Sequence, residues 1–180
     1  MAWTTPRTWV AGETVTDTIM NTHVRDNLAY LGTGIIRLDV NTTAVGNVGA
    51  GEDDLMTYTL PASTLSVDGM GVRITAWGIT ANNANAKTVK MYFGSTNVGS
   101  LICTTNTIEG WVHQAVIIRT GATAQLGRLV LSAQAAVWKW GGNVATPTET
   151  LSGAVTIKCT GEATATNDIV QQLMLVELIR

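Results

Sequence analysis

Charge is scarce in this sequence. Only 13% of its 180 residues are Asp, Glu, Lys or Arg, about half of the ~25% usual for soluble domains. Few solvated side chains are left to keep one copy apart from its neighbours, which points to large surfaces buried against partners. Uncharged Thr, Asn and Ser supply much of the remaining polarity. No basic block exists and the formal net charge is −2, so the electrostatic footprint of a nucleic-acid binder is missing. No apolar run approaches the ~18 residues of a membrane span. The first residues lack a basic region followed by an apolar run, so no signal peptide is expected.

Chemistry-bearing residues are equally sparse. Two cysteines, Cys103 and Cys159, lie far apart in Leu-Ile-Cys and Ile-Lys-Cys contexts. A disulfide is open to them, but apolar strand-like surroundings favour two buried thiols. His23 and His113 are the only histidines, too few for a zinc site. Each reads as a hydrogen-bonded structural imidazole. No Gly-x-Ser-x-Gly elbow occurs, and nothing beside Cys103 would activate a thiolate. Glu52-Asp53-Asp54, with Asp168 elsewhere, is the best calcium candidate, yet its spacing matches no calcium loop, and it reads as a solvated loop. Gly69 and Gly71 lack the third glycine and the helix of a phosphate cradle. No pair of carboxylates is singled out for glycoside hydrolysis. The expectation is a protein without catalysis, metal or cofactor.

What is present divides at about residue 34. Residues 1–15 show no clean period and read as an extended arm. Thr16 is a plausible helix N-cap with Asp17 in the first turn. Met20, Val24, Leu28 and Leu31 then make one apolar stripe, and Gly32 stops the helix at about residues 17–31. Such a helix is too short to stand alone and must lie on its own body, a symmetry mate or another protein. From Ile35 the period becomes two. Val89, Met91 and Phe93 alternate with Thr88, Lys90 and Tyr92, and Val112, Gln114, Val116 and Ile118 share one side. Residues 42–54 read as a loop, Leu55 to Leu60 as a short strand, and Leu126 to Val137 as one long strand or two. The fold class expected is all-β: an antiparallel jelly-roll-like sandwich of about eight or nine strands. An arm and one short α-helix (1–34) precede this body (35–180).

Six tryptophans are many for one domain. Trp77 and Trp111 lie in alternating strands and suit core or sheet-face packing. Trp138 and Trp140, in "VWKWGG", share one face. They either stack on sugar rings or anchor a partner, or they close the sandwich rim. Trp3 and Trp9 fall where local structure is too thin to form a core, so they read as anchors that fill pockets on a partner chain.

The opening resembles a segment of tailed-bacteriophage structural proteins that reads W-t-t-P-r-t-W, then a-G-E, then a short helix with N-t-x-v-R-D-N-l. The matching residues here are Trp3, Pro6, Trp9, Gly12, Glu13, Asn21, Arg25, Asp26, Asn27 and Leu28. A second stretch, Tyr58 to Thr96, is similar to jelly-roll modules of phage tail-fibre and capsid-surface proteins. Together they cover under half of the chain. The resemblance implies a homotrimer on the virion surface, made in the host cytoplasm, with no nucleic acid or membrane among its partners. Trp3, Pro6, Trp9, Arg25, Asp26 and Asn27 would dock it. A trimeric capsid decoration (cement) protein bound to the major capsid protein fits the resemblance best. The alternative is a short tail-fibre or tail-adaptor protein whose Trp138 and Trp140 hold a host glycan.

Overall fold

The computed structural model describes residues 4–5, 7–31, 35–103, 109–134, 137–140 and 144–180. Beyond the N-terminal helical segment its regular structure is all β. The strands are β1 (Ile35–Asn41), β2 (Val45–Gly46), β3 (Gly51–Leu60), β4 (Gly71–Thr80), β5 (Lys87–Phe93), β6 (Thr96–Cys103), β7 (Glu109–Gly121), β8 (Ala124–Gln134), β9 (Val137–Trp140), β10 (Val144–Ala145), β11 (Val155–Ala163) and β12 (Ile169–Ile179). They form two antiparallel sheets. The large one runs β1-β12-β4-β7-β8-β10, with β2 on β12 and β9 on β8, and the small one runs β3-β11-β5-β6. The pairs β1–β12, β3–β11, β4–β7 and β5–β6 are nested, as if one long hairpin had been rolled up. That is the jelly-roll arrangement, and β8 to β10 extend its large sheet at one edge. The region Leu126 to Val137 resolves into two strands, β8 and the start of β9.

The alternation of side chains decides what lies between the sheets. On β5 every second residue is buried, Val89, Met91 and Phe93 among them. On β7 the buried set is Trp111, His113, Ala115 and Ile117, so Val112, Gln114, Val116 and Ile118 turn away from the core. Trp111 packs where Gly78 leaves room: a Cβ there would come within 2.8 Å of the indole and 2.0 Å of the Val170 carbonyl. The indole N–H donates to the Ile79 carbonyl at 3.3 Å. Cys103 and Cys159 are both buried and no disulfide joins them. β5 stands between their strands, and they lie opposite Lys87 and Met91, four residues apart along it, so two strand spacings across and about 13 Å along the strands put them out of disulfide reach. Burial pushes the Cys159 thiol up to about 12.

One end of the sandwich is closed by a polar cluster. Lys87 is fully buried, and its ammonium donates to the Asn83 carbonyl, Asn83 Oδ1 and the Asn85 carbonyl at 2.8–3.0 Å. Asp168 holds that loop in place by accepting from Asn83 Nδ2 at 2.6 Å, Asn85 Nδ2 at 2.9 Å and Ala165 N–H at 2.8 Å. Burial alone would raise its carboxyl, but these donors outweigh that and hold it below the usual range. Nearby, Asn47 donates to the Gly49 and Ala165 carbonyls and accepts from Ile169 N–H. The polar loop around residue 83 is thus a clamp.

The acidic cluster at 52–54 corrects the loop reading. β3 starts at Gly51, so these residues are in a strand. Cross-strand partners explain why. Glu52 accepts from Lys90 at 2.6 Å, Thr160 at 2.7 Å and Tyr92 at 2.9 Å, and Lys158 reaches Asp54 at 2.7 Å. Asp53 accepts from Val48 N–H. These pairings across three strands stabilise a charged run that local propensity disfavours.

His113 is also not the hydrogen-bonded imidazole expected. It is fully buried, and neither ring nitrogen has a hydrogen-bond partner. Burial depresses it to about 4. Between pH 6.5 and 4 the unfolded chain therefore binds this proton and the folded one does not, so stability is lost as pH falls through that window. A fall from pH 7 to 4.5 should cost about 2.5 kcal/mol through this residue alone. The variant His113→Leu should lose that share of its acid sensitivity in denaturant titrations at the two pH values; an unchanged pH slope would refute the assignment. Asp168→Ala, which leaves two amides and one backbone N–H without their acceptor, should lower stability by about 2–4 kcal/mol in the same titrations.

Candidate docking site

The N-terminal segment builds a unit of its own. Gly12 takes φ +81°, which a side chain would resist, and closes a turn in which Glu13 N–H donates to the Val10 carbonyl at 3.1 Å. The Glu13 carboxylate then receives the Arg7 guanidinium, which also lies 5.3 Å from the centre of the Trp9 ring. Helix α1 (Asp17–Met20) starts as expected: the Thr16 hydroxyl accepts from Ile19 N–H at 3.3 Å and Asp17 sits in the first turn. The helical path continues without a break through Asn21–Arg25 and α2 (Asp26–Leu31), but not as one regular α-helix. Asn21–Arg25 widens to a π-turn, with Asp26 N–H reaching back five residues to the Asn21 carbonyl.

Asn27 ties the helix to the arm. Its side-chain oxygen accepts from Thr4 N–H at 3.0 Å and its amide donates to the Thr4 carbonyl at 2.9 Å. It is the buried member of Arg25-Asp26-Asn27. Arg25 is exposed and pairs with its neighbour Asp26 at 2.8 Å. The tripeptide thus does two jobs: Asn27 is used within the chain, and Arg25 faces outward. Trp9, Met20 and Leu28 are 48%, 45% and 64% exposed, so one tryptophan and two members of the helix's apolar stripe stay about half in water, while Val24 is partly covered. Trp3 and Pro6 lie outside the described residues.

The other candidates belong to the large sheet. Trp77 is 43% exposed on its outer face, beside Val112 in register. Val112 pairs with Ala133, which pairs with Trp138; Gln114 pairs with Leu131, which pairs with Trp140. By register, positions 138 and 140 therefore continue the rows of Trp77 and Thr75. Sequence reasoning placed Trp138 and Trp140 together but gave no sign that Trp77 shares their face, because that grouping is made by strands distant in sequence. Among the described residues no three His, Cys, Asp or Glu side chains gather as metal ligands, and no helix is long and apolar enough to cross a membrane.

No protein-family model matches this chain, and no curated protein matches it. A similar solved structure is titled the CBM2 module of Lactobacillus casei BL23 phage J-1 evolved Dit. The likeness spans 80% of this chain and 96% of that one, at 11% identity and a TM-score of 0.39.

The clasp is directly testable. Asn27→Ala should speed amide exchange at Thr4 by about tenfold, the loss expected for roughly 1–2 kcal/mol of hydrogen bonding. Exchange in β4 and β12 should be unaffected. Unchanged protection at Thr4, measured by mass spectrometry or NMR, would show that Asn27 is not what holds the arm.

Proposed function

We propose that this chain is a structural protein of a bacteriophage virion, attached through its N-terminal arm. In this reading it is a homotrimeric capsid decoration protein that stabilises the head shell by binding its assembled form. The supporting observation is the arm itself. Its internal clasp, turn and cap are complete, yet it leaves Trp9, Met20 and Leu28 in water. A segment that spends hydrogen bonds on its own shape while leaving Trp9, Met20 and Leu28 about half exposed is built to meet another surface. About half of each is already covered, so burying the remainder would contribute on the order of 1–1.5 kcal/mol apiece. Arg25, at the outer side of the helix, is available for a carboxylate or carbonyl of the receiving protein, either the major capsid protein or a tail protein. The role is mechanical rather than catalytic.

A second reading has its own observation. By register, positions 138 and 140 fall in the same rows as the exposed Trp77 and Thr75, the placement that tryptophans stacking on a sugar would need. On that reading the protein is a short tail fibre or adaptor that recognises a host glycan.

Removing residues 1–34 should leave a folded β body that no longer attaches to particles, and Trp9→Ala should weaken attachment by about tenfold or more. Particle imaging with the full chain should then place it on the shell. Full occupancy by the truncated chain would end the docking proposal, and density at the tail would favour the second reading.

A further inference from the structure

The two outer faces of the sandwich differ sharply. The small sheet presents a linked charged array to water: Glu52, Lys90, Glu162, Lys158 and Asp54. On the large sheet the outward residues of β4, β7, β8 and β12 include Trp77, Val112, Val116, Leu126, Leu173 and Leu175, none of them buried. Trp77 and Leu126 are 43% and 47% exposed. Polar groups do occur within this face, and two pairs at its centre meet within one copy. Arg73 donates to Glu177 at 2.7 Å and Gln114 Nε2 donates to the Thr75 hydroxyl at 3.0 Å. Exposed Arg37 and Arg128 stand towards the two edges, on β1 and β8.

We propose that this face is covered by a second copy of the chain. Four observations choose that occupant. Two polar pairs at its centre, Arg73–Glu177 and Gln114–Thr75, are made within one copy, which lowers the cost of removing water there. The extent is also right. Five strands about 4.8 Å apart, with outward residues along some eight to ten positions, make a face of roughly 600–700 Å², close to the ~800 Å² per partner of a stable interface. An apolar centre with arginines at its rim has the layout of protein interfaces. Finally, every copy carries the same face in a chain with few charges to oppose association, so association needs no other partner.

This inference rests on the self-association part of the reading above and names its surface; the docking of the arm is separate. The test is sedimentation or light scattering of the full chain at tens of micromolar. The parent should run at a multiple of the monomer mass. Trp77→Glu and Leu126→Glu alter side chains that are already exposed in one copy, so both should fold. Trp77→Glu, on the middle strand, should weaken association by about 100-fold, the effect of an unpaired carboxylate at an interface centre, and Leu126→Glu, beside Arg128 towards the rim, by about tenfold. Thr156→Lys, on the outer face of the small sheet, should leave the mass unchanged. If the parent is oligomeric but both glutamate variants remain so, the surface is wrong while self-association stands. If the parent is monomeric, both fall. A monomeric parent retained on a polysaccharide column, and released by Trp77→Ala, would assign the face to sugar instead.

Discussion

Two sheets stay together here because Val89, Met91, Phe93 and Ile157 on one, and Ile74, Ala115, Ile117 and Val176 on the other, exclude water from the space between them. Everything else follows from how that contact is completed. The chain reaches it by nested pairing, so β1 meets β12 and β3 meets β11 across most of the sequence. Such long-range closure makes each sheet depend on the other. It also leaves an open end between the layers, where backbone groups would be stranded. Lys87, Asp168, Asn47, Asn83 and Asn85 close that end with polar groups that are matched among themselves, a solution that holds only while the set is complete.

A sandwich buries one face of each sheet and must give the other face to something. The two outer faces meet this demand in opposite ways. The small sheet turns to water, and its charges are arranged in rows across β3, β11 and β5. Lys90 is raised by the carboxylates of Glu162 and Glu52. On Glu52 the burial that would raise the carboxyl is outweighed by donors from Lys90, Thr160 and Tyr92, so it lies below its ordinary value. The large sheet pairs Arg73 with Glu177 and Gln114 with Thr75 and keeps apolar groups such as Trp77 and Leu126 outside. The arm repeats that choice on a smaller scale, with an internal clasp and an external stripe. Both surfaces make hydrogen bonds within the chain and leave hydrophobic area exposed.

Much of the local structure was legible in the residues. Thr16, Asp17 and the apolar spacing located the helix, and the alternation on β5 separated Val89, Met91 and Phe93 from Thr88, Lys90 and Tyr92, because caps and two-residue periods are local effects. The strand at Glu52-Asp53-Asp54 was not legible. Three acids in a row look like a loop until lysines from β5 and β11 are placed opposite them. His113 was misread for a related reason: a hydrogen-bond partner for a buried imidazole must come from whatever packs opposite it, which no local pattern records, and here neither ring nitrogen meets one. The π-turn at Asn21–Arg25 has no sequence signal that spacing rules detect.

By itself, then, the sequence determined the elements: an arm, a capped helix, and alternating strands enough for an antiparallel sandwich. Those depend on interactions within a few residues, which a linear pattern records. Only the tertiary structure decided which face of β7 is inside, that Trp111 is core while Trp77 is surface, and that Asn27 serves its own chain. Each of those outcomes is set by a partner far away in sequence, Gly78 for Trp111 and Thr4 for Asn27, and such a partner becomes a neighbour only after the chain has closed.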